Sequence, residues 1–209
     1  MNKELGNILL KVGELYDKYG IKSVTMDDVA RELGISKKTL YIYVENKGDL
    51  VSKVLTNTIG KIDCTFKEIA EKDQSAIDEL LEVGVHIIRT ISKYNHSLEY
   101  DLKKYYPQLY EQVHETRKER MYKAIYKNII KGKKEGLYRT DMNDEIIAKI
   151  QTSRFVHMSS GELFDPEEVH TPQYILELFI YHIRGIATKE GVDELEKKLK
   201  NTDIQEYLQ

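Results

Sequence analysis

One cysteine, three prolines, four phenylalanines and no tryptophan stand in a chain of 209 residues. The lone Cys64 excludes a disulfide within the chain, so stability must come from a buried apolar core, and this length is enough to build one. No apolar run reaches the roughly 18 residues of a membrane span, and no basic-flanked apolar leader opens the sequence. A soluble, cytoplasmic protein with no membrane partner is expected. Phosphate-binding glycine loops, a nucleophile elbow and paired-cysteine metal sites are also missing. That predicts no enzyme and no cofactor. Net charge is only −3, and the first 60 residues hold nine basic against eight acidic side chains, too mild an asymmetry to indicate a nucleic-acid partner.

What is present is helical. Few prolines, 32% charged residues and 15 tyrosines suit long amphipathic helices whose aromatics keep a polar tip. The expected class is all-α. Leu5, Ile8, Leu9, Val12, Leu15, Tyr16 and Tyr19 recur at helical spacing until Gly20 stops the pattern. Thr25 is placed to cap a second helix, about Met26 to Leu33, with Asp27 and Asp28 in the first turn, where the helix dipole favours acids. Gly34 then permits a sharp left-handed turn and Ile35 plugs it. Ser36 caps a third helix, about Lys37 to Tyr43, whose inward candidates are Leu40 and Val44. Two short helices around a tight glycine turn make a helix-turn-helix. Lys37, Lys38, Thr39, Tyr41 and Tyr43, with Lys47 beyond, offer donors suited to phosphate oxygens and base edges.

The run Thr25-Met-Asp-Asp-Val-Ala-Arg-Glu-Leu-Gly-Ile-Ser-Lys-Lys-Thr-Leu-Tyr-Ile-Tyr-Val-Glu-Asn-Lys-Gly-Asp-Leu50 resembles the DNA-binding signature of the TetR family of repressors. Ile8 to Gly20 is similar to that family's first helix, so the specific likeness covers about residues 5–55. It implies a recognition helix at 37–43 in the major groove. Tyr41, Tyr43 and Lys47 would then lie mainly on phosphates, with Lys37, Lys38 and Thr39 nearer base edges. Thr25 and Ser36 complete the expected DNA-binding set. The sequence departs from the family pattern at Val44, usually Phe, at Gly48, usually acidic and here expected to loosen the fourth helix, and at Val12-Gly13, usually two alanines.

Beyond Asp49 the chain reads as a series of helices. One runs from about Lys47 to Ala70, a buried one from Ser75 to Lys93, a short one near Ser97 to Lys104, then Pro107 to Lys133 and Asp144 to Gly161. The last, after Pro172, carries two apolar stripes, one at Ile175, Leu178, Phe179, Ile183 and Ile186, the other at Leu176, Ile180 and Ala187. The resemblance implies a homodimer through helices eight and nine, and Phe155, Leu176, Ile180, Arg184 and Ala187 are the expected contacts. Cover by another helix of the same chain is the alternative. About nine helices result, divided into a helix-turn-helix domain (1–48) and a helical ligand-binding and dimerisation domain (49–209).

The resemblance also implies a repressor released from double-stranded DNA by a small-molecule effector. Polar or aromatic interruptions of apolar faces nominate Cys64, His86, Arg89, Tyr100, Tyr106, Tyr110, Tyr122, Arg154, Phe155 and His157 as effector contacts. Cys64 has no resolving partner for a redox role. Arg117 to Lys134 carries eight basic residues against Glu119, best read as a solvated face. Glu111-x-x-His114 and Glu167-x-x-His170 repeat the spacing of di-iron carboxylate bundles, but the second copy lies between Pro166 and Pro172, where a regular helix is not expected. A non-catalytic protein-interaction module is the remaining alternative.

Overall fold

The computed structural model describes residues 3–91, 96–156, 164–165 and 168–201. They form ten α-helices: α1 (Lys3–Tyr19), α2 (Met26–Leu33), α3 (Lys37–Tyr43), α4 (Lys47–Ala70), α5 (Ala76–Ile91), α6 (His96–Tyr105), α7 (Pro107–Lys134), α8 (Asp144–Val156), α9 (Pro172–Ile186) and α10 (Lys189–Asn201). A 3-10 turn covers Glu168–His170. Among the described residues β structure is limited to one isolated antiparallel bridge, Tyr138 with Ala187. The fold is all-α, as expected, with one helix more than the sequence reading gave. The extra element is α10, which begins where Thr188 accepts from the Gly191 amide and buries Leu195.

The chain forms two compact units, Met1–Thr65 with Tyr94–Arg117 and Phe66–Lys93 with Lys118–Gln209. These outlines do not break at residue 48. Most of α4 and all of α6 join the first unit because Leu50, Val51, Val54 and Leu102 fill the same core as Ile8, Val12, Ile21, Val29 and Leu40. In the second unit Ile77, Leu81 and Ile88 of α5 share a core with Ile129 of α7, Ala148 of α8, Ile175, Phe179 and Ile183 of α9, and Leu195 of α10.

Local chemistry fixes the helix-turn-helix. The Thr25 hydroxyl accepts from the Asp28 amide at 3.2 Å, and the Asp28 carboxylate accepts from the Thr25 amide at 3.0 Å, a capping box. Gly34 adopts φ 66°, and the Ile35 amide donates to the Ala30 carbonyl at 3.0 Å, the reach-back that closes a helix before a sharp turn. The Ser36 hydroxyl caps α3 by accepting from Thr39 N–H at 3.0 Å. The start of α4 is capped despite Gly48. The Asn46 side chain accepts from the Asp49 amide at 3.0 Å, and Asp49 accepts from the Glu45 amide at 2.9 Å.

Candidate nucleic-acid interface

Helix α3 buries Leu40 completely, half-buries Thr39 and Tyr43, and exposes Lys37, Lys38, Tyr41 and Ile42. With Leu40 pinned in the core and Ser36 fixing the first turn, the helix has one rotational setting, in which Lys38, Tyr41 and Ile42 share the outer face. Tyr41 is 44% exposed and Ile42 is 75% exposed. Ile42 is absent from the sequence-derived set because it is apolar, yet the spacing from Leu40 already turns it outward.

The other nominated side chains are more engaged. Lys37 donates to Asp27 at 2.9 Å, and this bond, with the attraction of the carboxylate, raises its ammonium pKa. Thr25 and Ser36 spend their hydroxyls on caps, and Ser36 and Thr39 share a hydroxyl contact of 2.8 Å. Two hydrogen bonds from Thr25 hold the Asp28 carboxyl below its usual range. Tyr43 is half-buried, and hydrogen bonding to Glu4 of α1 raises its phenol pKa. Lys47 is also half-buried and donates from Nζ to the Lys22 carbonyl at 3.2 Å. Burial pushes its pKa down, against the attraction of Asp101 and Asp28.

The nominated effector contacts do not converge on one place. Cys64 is exposed and lines an open, apolar-walled groove of about 780 Å³ between α1 and α4, with Leu5, Leu9, Asn57 and Gly60. Tyr100 lines a second recess of about 430 Å³ beside Gly20 and Asp101. Tyr106 approaches Gly48, and Tyr110 donates to Glu99 at 3.2 Å. In the second unit His86 meets Phe66 edge-on at 5.6 Å, Tyr122 stacks with Tyr126, and Arg89 is exposed. Arg154 donates to Gln151 at 3.3 Å and lies over the Tyr181 ring, while Phe155 packs on Phe179 at 5.3 Å. His157 lies outside the described residues, as does Glu167 of the second Glu-x-x-His pair. Among the described residues no three His, Cys, Asp or Glu side chains are grouped to hold a metal ion.

The expected dimer contacts divide. Leu176 and Ala187 are buried within the chain's own core, which is the alternative of cover by the same chain. Arg184 is exposed and reaches Glu196 at 3.6 Å, and Ile180 is half-buried. Exposed apolar side chains in this region include instead Ile146 and Ile150 of α8, Tyr181 of α9, and Phe164 between the two helices.

Sequence reasoning passed over His182 because it reads as one polar interruption in an apolar helix. It is 6% exposed, and its Nε2 has no hydrogen-bond partner among the described residues. Burial, assisted by the positive charge of Arg154, lowers its pKa to about 4. An unfolded histidine takes up its proton below about pH 6.5 while the folded one stays neutral until about pH 4, so stability is full above 6.5 and lost as pH falls between the two. Between pH 7 and 5 this one group is expected to remove about 2 kcal/mol. Urea unfolding of the parent and of His182→Leu at both pH values checks it, and an equal acid loss in both would refute the assignment.

Two capped helices joined by the Gly34 turn, the second projecting a lysine, a tyrosine and an aliphatic side chain from one face, define a helix-turn-helix. Residues 13–54 match the family described as bacterial regulatory proteins, tetR family. A helix-turn-helix-type transcriptional regulator of Staphylococcus aureus strain RF122 is 26% identical over 108 residues, 47% of this chain and 58% of that protein, so the match spans little more than half of that relative. A second regulator, from strain MRSA252, is 23% identical over 167 residues, 75% of this chain and 78% of its own length. The crystal structure of a transcriptional regulator from Cytophaga hutchinsonii shares the fold with a TM-score of 0.74 at 16% identity, covering 90% of this chain and all of that one. Residues 13–54 are thus similar to the tetR family of bacterial regulatory proteins, and the described fold is shared with solved transcriptional regulators. No described helix is long and apolar enough to cross a membrane.

Proposed function

We propose that the protein is a cytoplasmic repressor that binds a pseudo-palindromic operator as a homodimer and is released by a small-molecule effector. The observation that carries the DNA reading is the outer face of α3, where Lys38, Tyr41 and Ile42 project together from a helix whose other side is locked by Leu40. Lysine and tyrosine suit phosphates and base edges, and the Ile42 side chain suits the methyl group of thymine. One such helix reads a few base pairs, whereas two related by a twofold axis read half-sites roughly 34 Å apart.

The homodimer is supported by a continuous outer stripe on α8 and α9. Ile146, Ile150 and Arg154 follow each other at four-residue spacing, and Arg154 covers Tyr181, which is 70% exposed. Effector control is supported by polar groups set in the second unit's apolar core, where buried Gln151 accepts from Arg154 and the Arg154 charge acts on buried His182. The functional division into a DNA-binding head (1–48) and a regulatory body (49–209) belongs to this proposal.

Fluorescence anisotropy with the intergenic DNA upstream of the protein's own gene, beside a scrambled duplex at two salt concentrations, tests the reading. Tight, sequence-dependent binding with a steep salt slope is expected. Tyr41→Ala is expected to weaken it roughly 10- to 100-fold, the scale of a lost contact of about 1–3 kcal/mol. Equal weak binding to both duplexes, followed by failure to enrich any sequence from random DNA, would remove the regulator reading.

A further inference from the structure

Asp101 of α6 has no part in the DNA-binding set, yet it is the acidic side chain most withdrawn from solvent in the first unit, 9% exposed. Its Oδ2 accepts from the backbone N–H of Lys22 at 2.8 Å, across 79 residues of sequence. The same residue is held a second time, because the Lys22 carbonyl accepts from Lys47 Nζ at 3.2 Å. Three elements thus close on one residue: α6 through Asp101, the loop between α1 and α2 through Lys22, and the start of α4 through Lys47. Gly20, with φ +79°, leaves room for the carboxylate, since a side-chain carbon there would come within 3.1 Å of Oδ2.

A buried carboxylate is tolerable only where donors and cations compensate it. The backbone N–H of Lys22 is one, and the Lys47 ammonium, drawn by the Asp101 charge, is another. That ammonium is the group best placed in sequence to meet a phosphate at the head of α4. In this arrangement it is turned to the Lys22 carbonyl, on the residue whose amide Asp101 holds, and the Asp101 charge attracts it.

We infer that Asp101 is a positioning residue that withholds Lys47 from DNA, so that α6 acts as a brake on the helix-turn-helix. The carboxylate and the Lys22 carbonyl compete with a DNA phosphate for one ammonium group. Displacing α6 from the Lys22 loop removes the carboxylate, leaves the Lys22 carbonyl as the weaker, uncharged competitor, and lets Lys47 add one phosphate contact per subunit. This rests on the DNA-binding reading above and adds to it a switchable contact that the recognition helix does not contain.

The test uses the full chain and a duplex that it selects from random-sequence DNA. Asp101→Asn keeps an oxygen able to accept from the Lys22 amide but removes the charge. It is expected to tighten binding about threefold to tenfold and to steepen the slope of log affinity against log salt by about one per subunit. In a Lys47→Met background the same change is expected to alter neither quantity. A purely structural Asp101 would shift the melting temperature and leave the slope alone. Should Asp101→Asn fail to fold, Asp101→Ser, also a neutral acceptor, carries the same expectation. An unchanged slope in a folded neutral variant, or an equal gain without Lys47, overturns the inference while the DNA-binding reading stands. If the parent protein enriches no sequence, both fall.

Discussion

Gly132→Ala is expected to lower the stability of the protein by about 3 kcal/mol, although alanine is the better helix former. Gly132 is buried in α7, and a side-chain carbon there would stand 2.1 Å from Cδ2 of Tyr138. Tyr138 is 1% exposed and folds back over the helix end, with its amide and that of Leu137 both donating to the Gly132 carbonyl. Its hydroxyl donates to Asn128 Oδ1 at 3.1 Å, and Asn128 Nδ2 donates to the Ala76 carbonyl at 2.9 Å. Moving the ring therefore strains the core and leaves a buried amide oxygen without its donor, each worth about 1–3 kcal/mol, against a gain of about 1 kcal/mol in helix propensity. For a chain of this size the melting temperature should fall by roughly 6–12 °C. Gly60→Ala in α4 is the control, because among the described residues no atom beyond its own helix backbone lies within 4 Å of the added carbon. A Gly132→Ala melt equal to that of the parent would show that the space over α7 is open.

The second large effect concerns assembly. Ile146→Asp with Ile150→Asp is expected to convert the proposed dimer to a monomer in analytical ultracentrifugation. Operator affinity should then fall by roughly 100-fold or more, since joining two half-site readers raises avidity by 10²–10⁴. Both isoleucines are more than half exposed, so the changes place no charge in the core of the single chain and should leave its circular dichroism intact. Retention of the dimer would move the interface away from the stripe formed by α8 and Tyr181.

The sequence by itself determined most of the helix-turn-helix. Thr25, Gly34 and Ser36 act within a turn or two of their own position, through hydrogen bonds whose geometry the local backbone dictates, so their roles as caps and turn are legible in one dimension. The boundaries of α2 and α3, and the inward Leu40, follow from the same short-range rules. The all-α class is equally local, being a matter of periodicity and the scarcity of breakers. Even α10 was readable, because Val192, Leu195 and Leu199 repeat at helical spacing after Thr188.

Only the tertiary structure decided which side chains are free to act. Lys47 and Tyr43 read as outward donors, yet the Lys22 carbonyl and Glu4 engage them from other elements. Leu176 and Ala187 read as a spare apolar stripe, and their own chain buries them, whereas Ile146 and Ile150 of α8 remain uncovered. Asp101 and His182 look like ordinary polar residues of amphipathic helices until distant segments close around them. Burial and hydrogen bonding across 79 residues depend on how helices pack, and periodicity along one helix identifies an apolar face without naming what will cover it.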